Sequence, residues 1–136
     1  MAKNFEFLEQ IEGVKFEAWG KSLEEVFSNC AKAVSKTLCK GTIGRKKVYT
    51  IKTYGKDNES LLYNFLKEIL YLFEKEHFIL GRVKEIKIKD NKLTAKVLGD
   101  DLDKYEIKTY IKSPSREDML IKKEKDRLVA QVILEV

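Results

Sequence analysis

Proline is nearly missing from this sequence. Pro114 is the only one, and the seven glycines are scattered. That leaves no Pro- or Gly-rich linker, and no repeat or low-complexity tract marks a boundary either. Histidine occurs once, at His77, which excludes a His-based zinc site or a catalytic His pair. A lone His in the segment FEKEHFIL reads as a helix-end cation or a surface residue. The two cysteines, Cys30 and Cys39, form no Cys-x-x-Cys motif and read as buried or free thiols rather than a disulfide. There is no Walker A loop, no Gly-x-Gly-x-x-Gly and no Gly-x-Ser-x-Gly elbow. Without an acid–base set, a stand-alone enzyme is not expected. No run of 18 apolar residues exists, so no membrane span is expected. The opening MAKNFEFLEQ lacks the basic region and apolar stretch of a secretory signal. A cytoplasmic protein is the expectation.

What is present fits one domain spanning residues 1–136. A 43% hydrophobic content is enough for a core and argues against disorder. Charged residues reach 36%, against roughly 25% in an ordinary domain. Most of the excess is Lys and Glu, a balance that suits the surface of a thermophile's protein. The net charge of +5 modestly favours acidic partners, whether RNA or an acidic protein surface. Between Lys40 and Lys56 the bases Lys40, Arg45, Lys46, Lys47, Lys52 and Lys56 occur with no acid among them. Such a stretch serves phosphate or an acidic partner, or is a solvated edge strand whose lysines discourage pairing between molecules. Lys46 and Lys47 are its candidate contact residues.

Periodicity predicts an α+β fold. Residues 5–9 and 14–19 alternate and read as a hairpin turning at Gly13. Ser22 and Glu25 form a capping box, after which Leu23, Val26, Phe27, Cys30, Val34 and Leu38 recur at helical spacing up to Gly41, which is expected to close the helix. Residues 46–54 (KKVYTIKTY) read as a strand. Asp57 or Asn58 then caps a second helix, whose wide apolar stripe (Leu61, Leu62, Phe65, Leu66, Ile69, Leu70, Leu72, Phe73) marks it as the central core helix. Strands are expected at 82–89 and 92–98 around an Asp90-Asn91 turn, then at 105–111, 118–123 and 128–135. The last is apolar on both faces and reads as a central strand. The order is ββαβα followed by about five strands, with two helices packed on an antiparallel or mixed sheet.

The remaining chemistry is carboxylate chemistry. Glu9, Gln10 and Glu12 sit in the first hairpin turn, and Glu135 is the penultimate residue of the last strand. A carboxylate there needs a partner or a metal, or lies at an exposed strand end. Hard cations such as calcium or magnesium take such oxygen ligands; solvated turn carboxylates are the plainer reading.

Taken in order, these segments resemble the archease family over nearly the whole chain. FEFLEQIEGVKFEAWGKSLEEVFSNCAKAV is similar to the family's opening hairpin and helix start, and ESLLYNFLKEILYLFE to its second helix. Lys92 to Gly99 with Asp100-Asp101-Leu102-Asp103 matches a Gly-Glu-x-Leu-Asp step. IKSPSREDM, with Lys112 and Met119, takes the place of Val-Lys-Ala-Val-Thr-Tyr-His-x-Met, and VILEV that of the closing Val-(Val/Ile)-Leu-Asp-Val.

The resemblance implies an accessory protein of RtcB-type RNA ligases, which seal RNA in tRNA splicing and repair. It would promote guanylylation of the ligase and its multiple turnover, meeting RNA indirectly through that partner. It also implies a divalent cation, calcium or magnesium, held by acids of the opening hairpin and the C-terminal strand. In this sequence the corresponding residues are Glu9, Glu12, Glu135 and Val136, with Lys112 and Glu117 as partner contacts. The family's opening Asp-His-Thr-Ala-Asp-Val is here Glu9-Gln10-Ile11-Glu12-Gly13-Val14. Gly13 thus stands in place of the second Asp, Glu135 in place of the C-terminal Asp, and Glu117 in place of the later His. Two rival readings are a small RNA-binding domain using Lys40–Lys56 and a protein-interaction or chaperone-like module of the same fold.

Overall fold

A computed structural model describes residues 4–10 and 12–136; Ile11 of the opening motif lies outside the described residues. Phe5–Leu8 (β1) and Val14–Gly20 (β2) pair antiparallel, with Phe7 opposite Phe16. Helix α1 spans Leu23–Leu38, and the Ser22 hydroxyl caps it by accepting the Glu25 N–H at 3.1 Å. Gly41 does not close it. The chain leaves the helix in extended backbone at Cys39, whose N–H donates to the Ser35 carbonyl. Strand β3 (Lys47–Tyr54) precedes helix α2 (Asn58–Lys75), and Asp57 caps α2 through the Ser60 N–H at 2.8 Å. Strands β4 (Phe78–Lys89) and β5 (Lys92–Asp101) turn at Asp90-Asn91, both at positive φ, as a tight hairpin of this kind requires. A short 3-10 turn at Leu102–Lys104 leads to β6 (Ser113–Pro114), β7 (Leu120–Glu124) and β8 (Arg127–Glu135).

The strands form two antiparallel sheets rather than one. The first runs β1-β2-β8-β6 with β7 also on β8; the second runs β3-β5-β4. The helices lie between them: α1 packs on β2, β8 and β4, and α2 on β3, β4, β6 and β7. The enclosed helix is therefore α1, not α2. Beyond its apolar stripe it buries Ala31, Ala33, Asn29, Ser35 and Thr37, whereas α2 keeps an exposed face that includes Tyr71. Small side chains let both sheets approach α1. Its buried polar groups are all partnered: Asn29 donates to the Trp19 carbonyl, Ser35 to Leu80 and Thr37 to Ala33, at 2.7 to 2.9 Å. Cys30 and Cys39 are free thiols inside this layer, and burial pushes the Cys30 thiol well above its ordinary range.

The expected strand at 105–111 is absent. Tyr105, Ile107 and Ile111 pack against the core, but the segment pairs with no strand. One edge of β8 is taken by β2 and the other by β7 and β6. The Lys108 N–H donates instead to the Leu38 carbonyl at the end of α1.

Asp100, 4% exposed at the end of β5, ties this segment down. Its carboxylate accepts the Asp101 N–H at 2.8 Å and the Tyr105 hydroxyl at 2.8 Å; Lys104 lies 3.4 Å away. The Tyr105 hydroxyl in turn accepts the Gly44 N–H at 2.7 Å. The Asp101 N–H, then the Tyr105 hydroxyl, hold the Asp100 carboxyl below its ordinary range. A lowered folded-state pKa stabilises above the unfolded value, and that stability is lost as pH falls through the folded value. Tyr105→Phe is expected to cost about 1 kcal/mol at neutral pH. The deficit shrinks below about pH 4, where the Asp100 carboxylate is protonated in the unfolded chain. Urea melts of both proteins at neutral and acid pH check this; a pH-independent deficit would refute the coupling.

Among the described residues, no helix is long and apolar enough to cross a membrane.

Candidate functional site

A cleft of about 290 Å³ opens where the β1–β2 turn meets the end of β8. Gln10, Glu12, Gly13, Ser115, Asp118, Ile133, Leu134, Glu135 and Val136 line it. Three local features shape it. The ladder between β2 and β8 sets Val14 opposite Leu134, which brings the turn to the C-terminal strand. Gly13 turns the chain at φ +78°, a left-handed conformation that side chains disfavour. Pro114 lacks an N–H and sits in a two-residue strand, with the Ser115 N–H donating to the Ile133 carbonyl at 2.8 Å.

The sequence candidates divide between this cleft and other places. Glu12, Glu135 and Val136 line it, and both glutamates are exposed. Glu9 is exposed in the same turn but does not line the cleft. The Lys112 backbone N–H donates to the Glu135 carbonyl at 2.7 Å, but its side chain borders a different cleft, beside Phe73, His77 and Tyr110. Glu117 is exposed outside the cleft; its neighbour Asp118 lines it instead. Lys47 opens β3 of the other sheet, opposite Gly99, and Lys46 directly precedes that strand.

Asp118 is not a site candidate from the sequence, and Ser115, beside Pro114, reads there only as part of a kink or bulge between strands. The Ser115 hydroxyl, 9% exposed, donates to an Asp118 carboxylate oxygen at 2.7 Å and fixes that carboxylate at the rim. The Ser-x-x-Asp spacing was a readable signal for such a local turn. On the other side the Ser113 hydroxyl reaches Glu135 at 3.4 Å, a weak contact that leaves Glu135 largely to solvent.

The chain matches the model of the archease protein family (MTH1598/TM1083) over residues 5–136. It belongs to the archease family. Curated relatives called protein archease include one from Pyrococcus abyssi, 35% identical with 98% of this chain and 99% of that one covered. One from Methanosarcina barkeri is 32% identical over 98% and 97%. The solution structure of Methanobacterium thermoautotrophicum protein 1598 superposes with a TM-score of 0.85 at 29% identity, covering 99% of this chain and 100% of that one. A Thermotoga maritima archease, described as a possible chaperone, has the same fold at TM-score 0.67 and 14% identity over 95% and 94% of the two chains.

The cation that the archease resemblance implies finds no preformed donor set here. Among the described residues, no three His, Cys, Asp or Glu side chains stand close enough together to hold a metal ion. Gly13 offers no side-chain ligand, and a Cβ built on it would lie 2.5 Å from the Leu134 carbonyl oxygen. Glu12, Asp118 and Glu135 give the cleft negative charge without a converged coordination shell.

Proposed function

We propose that this archease is an accessory protein that docks its acidic cleft onto an RtcB-type RNA ligase and promotes ligase guanylylation and repeated turnover. The carrying observation is the cleft itself. Glu12, Asp118 and Glu135 come from the opening turn, the segment after Pro114 and the end of β8. These are the same segments whose pattern follows the family. Exposed carboxylates on a rigid sheet end suit a basic pocket on a partner and orient the encounter more than they add affinity. No catalytic acid, base or nucleophile is needed for that role.

The test uses the RNA ligase of the same organism at limiting amount, with this protein added. Ligation is expected to rise from sub-stoichiometric to many turnovers. The pair Asp118→Asn and Glu135→Gln is expected to remove most of that stimulation while changing the melting temperature little, since both side chains are exposed and the introduced amide oxygen at position 118 can still accept the Ser115 hydroxyl. No stimulation in magnesium, manganese or calcium sinks the reading. A stable complex with another protein and no effect on ligation would instead favour a general interaction or chaperone-like role.

A further inference from the structure

The outward face of the β3-β5-β4 sheet gathers bases that are far apart in sequence. Across the three strands, Lys52, Thr94 and Lys87 form one rung, and Tyr54, Lys92 and Lys89 the next. All six side chains are exposed, and Tyr54 is 74% exposed. Further along, Lys96 faces Glu85 at 3.9 Å, a loose exposed pair, and Arg82 lies opposite Leu98. The inward residues Leu93, Ala95 and Val97 are buried under the helices, so the basic side is the one facing away from the helix layer.

We propose that this face, centred on Lys52, Lys87, Lys89, Lys92 and Tyr54, is a contact surface for single-stranded RNA. Side chains two apart on a strand lie about 7 Å apart and those on neighbouring strands about 5 Å, which makes a grid of cations along which a phosphate backbone can track. Tyr54 stands among them with an open ring on which any base can stack. An acidic protein surface would match the charge but leaves that ring without a use. Only Lys52 and Tyr54 of this group fall in the Lys40–Lys56 stretch; the rest come from the β4–β5 hairpin. The proposal does not rest on the ligase reading, since it requires RNA binding by the chain alone.

Fluorescence anisotropy of the full chain with a labelled, unstructured RNA of roughly 12 nucleotides tests it across a salt series. Affinity is expected to fall with salt. The triple variant K52E/K87E/K92E should weaken binding at least about tenfold and flatten the log–log salt slope by about 2, at roughly 0.7 per lost phosphate contact. Tyr54→Ala should weaken it about tenfold. A control triple variant at exposed lysines elsewhere, K67E/K75E/K123E, should stay within about twofold. Thermal melts accompany each variant, and the glutamine versions replace any that unfolds. Equal losses in both triples, no RNA binding at low salt, or tighter binding to polyglutamate than to RNA would each overturn the proposal.

Discussion

Phe65→Ala is expected to cost about 3 to 5 kcal/mol and to lower the melting temperature by roughly 10 to 25 °C. Phe65 is fully buried in α2, and its ring stacks on Phe27 of α1 at 5.9 Å between centroids and 24° between planes. Phe27 is likewise fully buried. The two rings join the helices in the middle layer, with a sheet on either side. A cavity opened there would be walled by α1, itself held by both sheets, so its lining has little freedom to collapse. That places the site at the costly end of large-to-small substitutions. Phe65→Leu keeps most of the volume and is expected to cost less than about 1.5 kcal/mol. Urea denaturation of the three proteins checks the pair of values. A loss under about 2 kcal/mol for the alanine variant would mean that the layer closes over the gap and that the sheets are not rigidly spaced.

Much of this architecture was legible because its signals are local. Ser22 capping α1, Asp57 capping α2 and the Asp90-Asn91 turn depend only on neighbours, and each stands where the pattern put it. The central place of β8 was readable from its two apolar faces, and it pairs with β2, β6 and β7. The misses concern what lies on the far side of an element. The stripe of α1 is one face, but Ala31 and Ala33 at its margins and Ser35 beyond it are also buried, and the Ser35 hydroxyl donates to the Leu80 carbonyl of the second sheet. Small and hydroxylic side chains leave almost no hydrophobic signal, so the wider stripe of α2 drew the central assignment instead. Residues 105–111 carry strand alternation without a strand, since alternation reports burial and not the presence of a free edge. The start of β4 at Phe78 was hidden because Phe78, Ile79 and Leu80 follow the second helix with only Glu76 and His77, the latter at positive φ, between them.

The cleft was half legible. Glu12 and Glu135 are reached by following the chain pattern. Asp118 needed three dimensions, because strand β6 is two residues long and the turn after it sets which of Glu117 and Asp118 faces the cleft. The basic sheet face was less legible still. Lys52, Lys87 and Lys92 meet only through the register of β3, β5 and β4, and no linear window contains them together.

Gly13→Asp, which places there the acid that the archease resemblance implies, is expected to destabilise this chain by about 2 to 4 kcal/mol and to create no cation site. The turn holds residue 13 at φ +78°, a conformation that strains an ordinary side chain by about 1 to 3 kcal/mol. The added Cβ would also lie 2.5 Å from the Leu134 carbonyl oxygen, a backbone atom fixed by the β2–β8 ladder, so the turn itself must shift. Gly13→Ala separates the two causes, because it carries the strain and the close contact without the charge. It is expected to lose nearly as much stability as the aspartate. Calorimetric titration with calcium and with magnesium, beside thermal melts of both variants, decides the matter. An aspartate variant as stable as the parent, with newly acquired cation binding, would show that the turn readily takes a side chain and that only the ligand is missing. Loss of stability in both variants without cation binding would mean that the backbone here was rebuilt around glycine. The acidity of the cleft then resides in Glu12, Asp118 and Glu135, the three carboxylates on which the proposed docking relies.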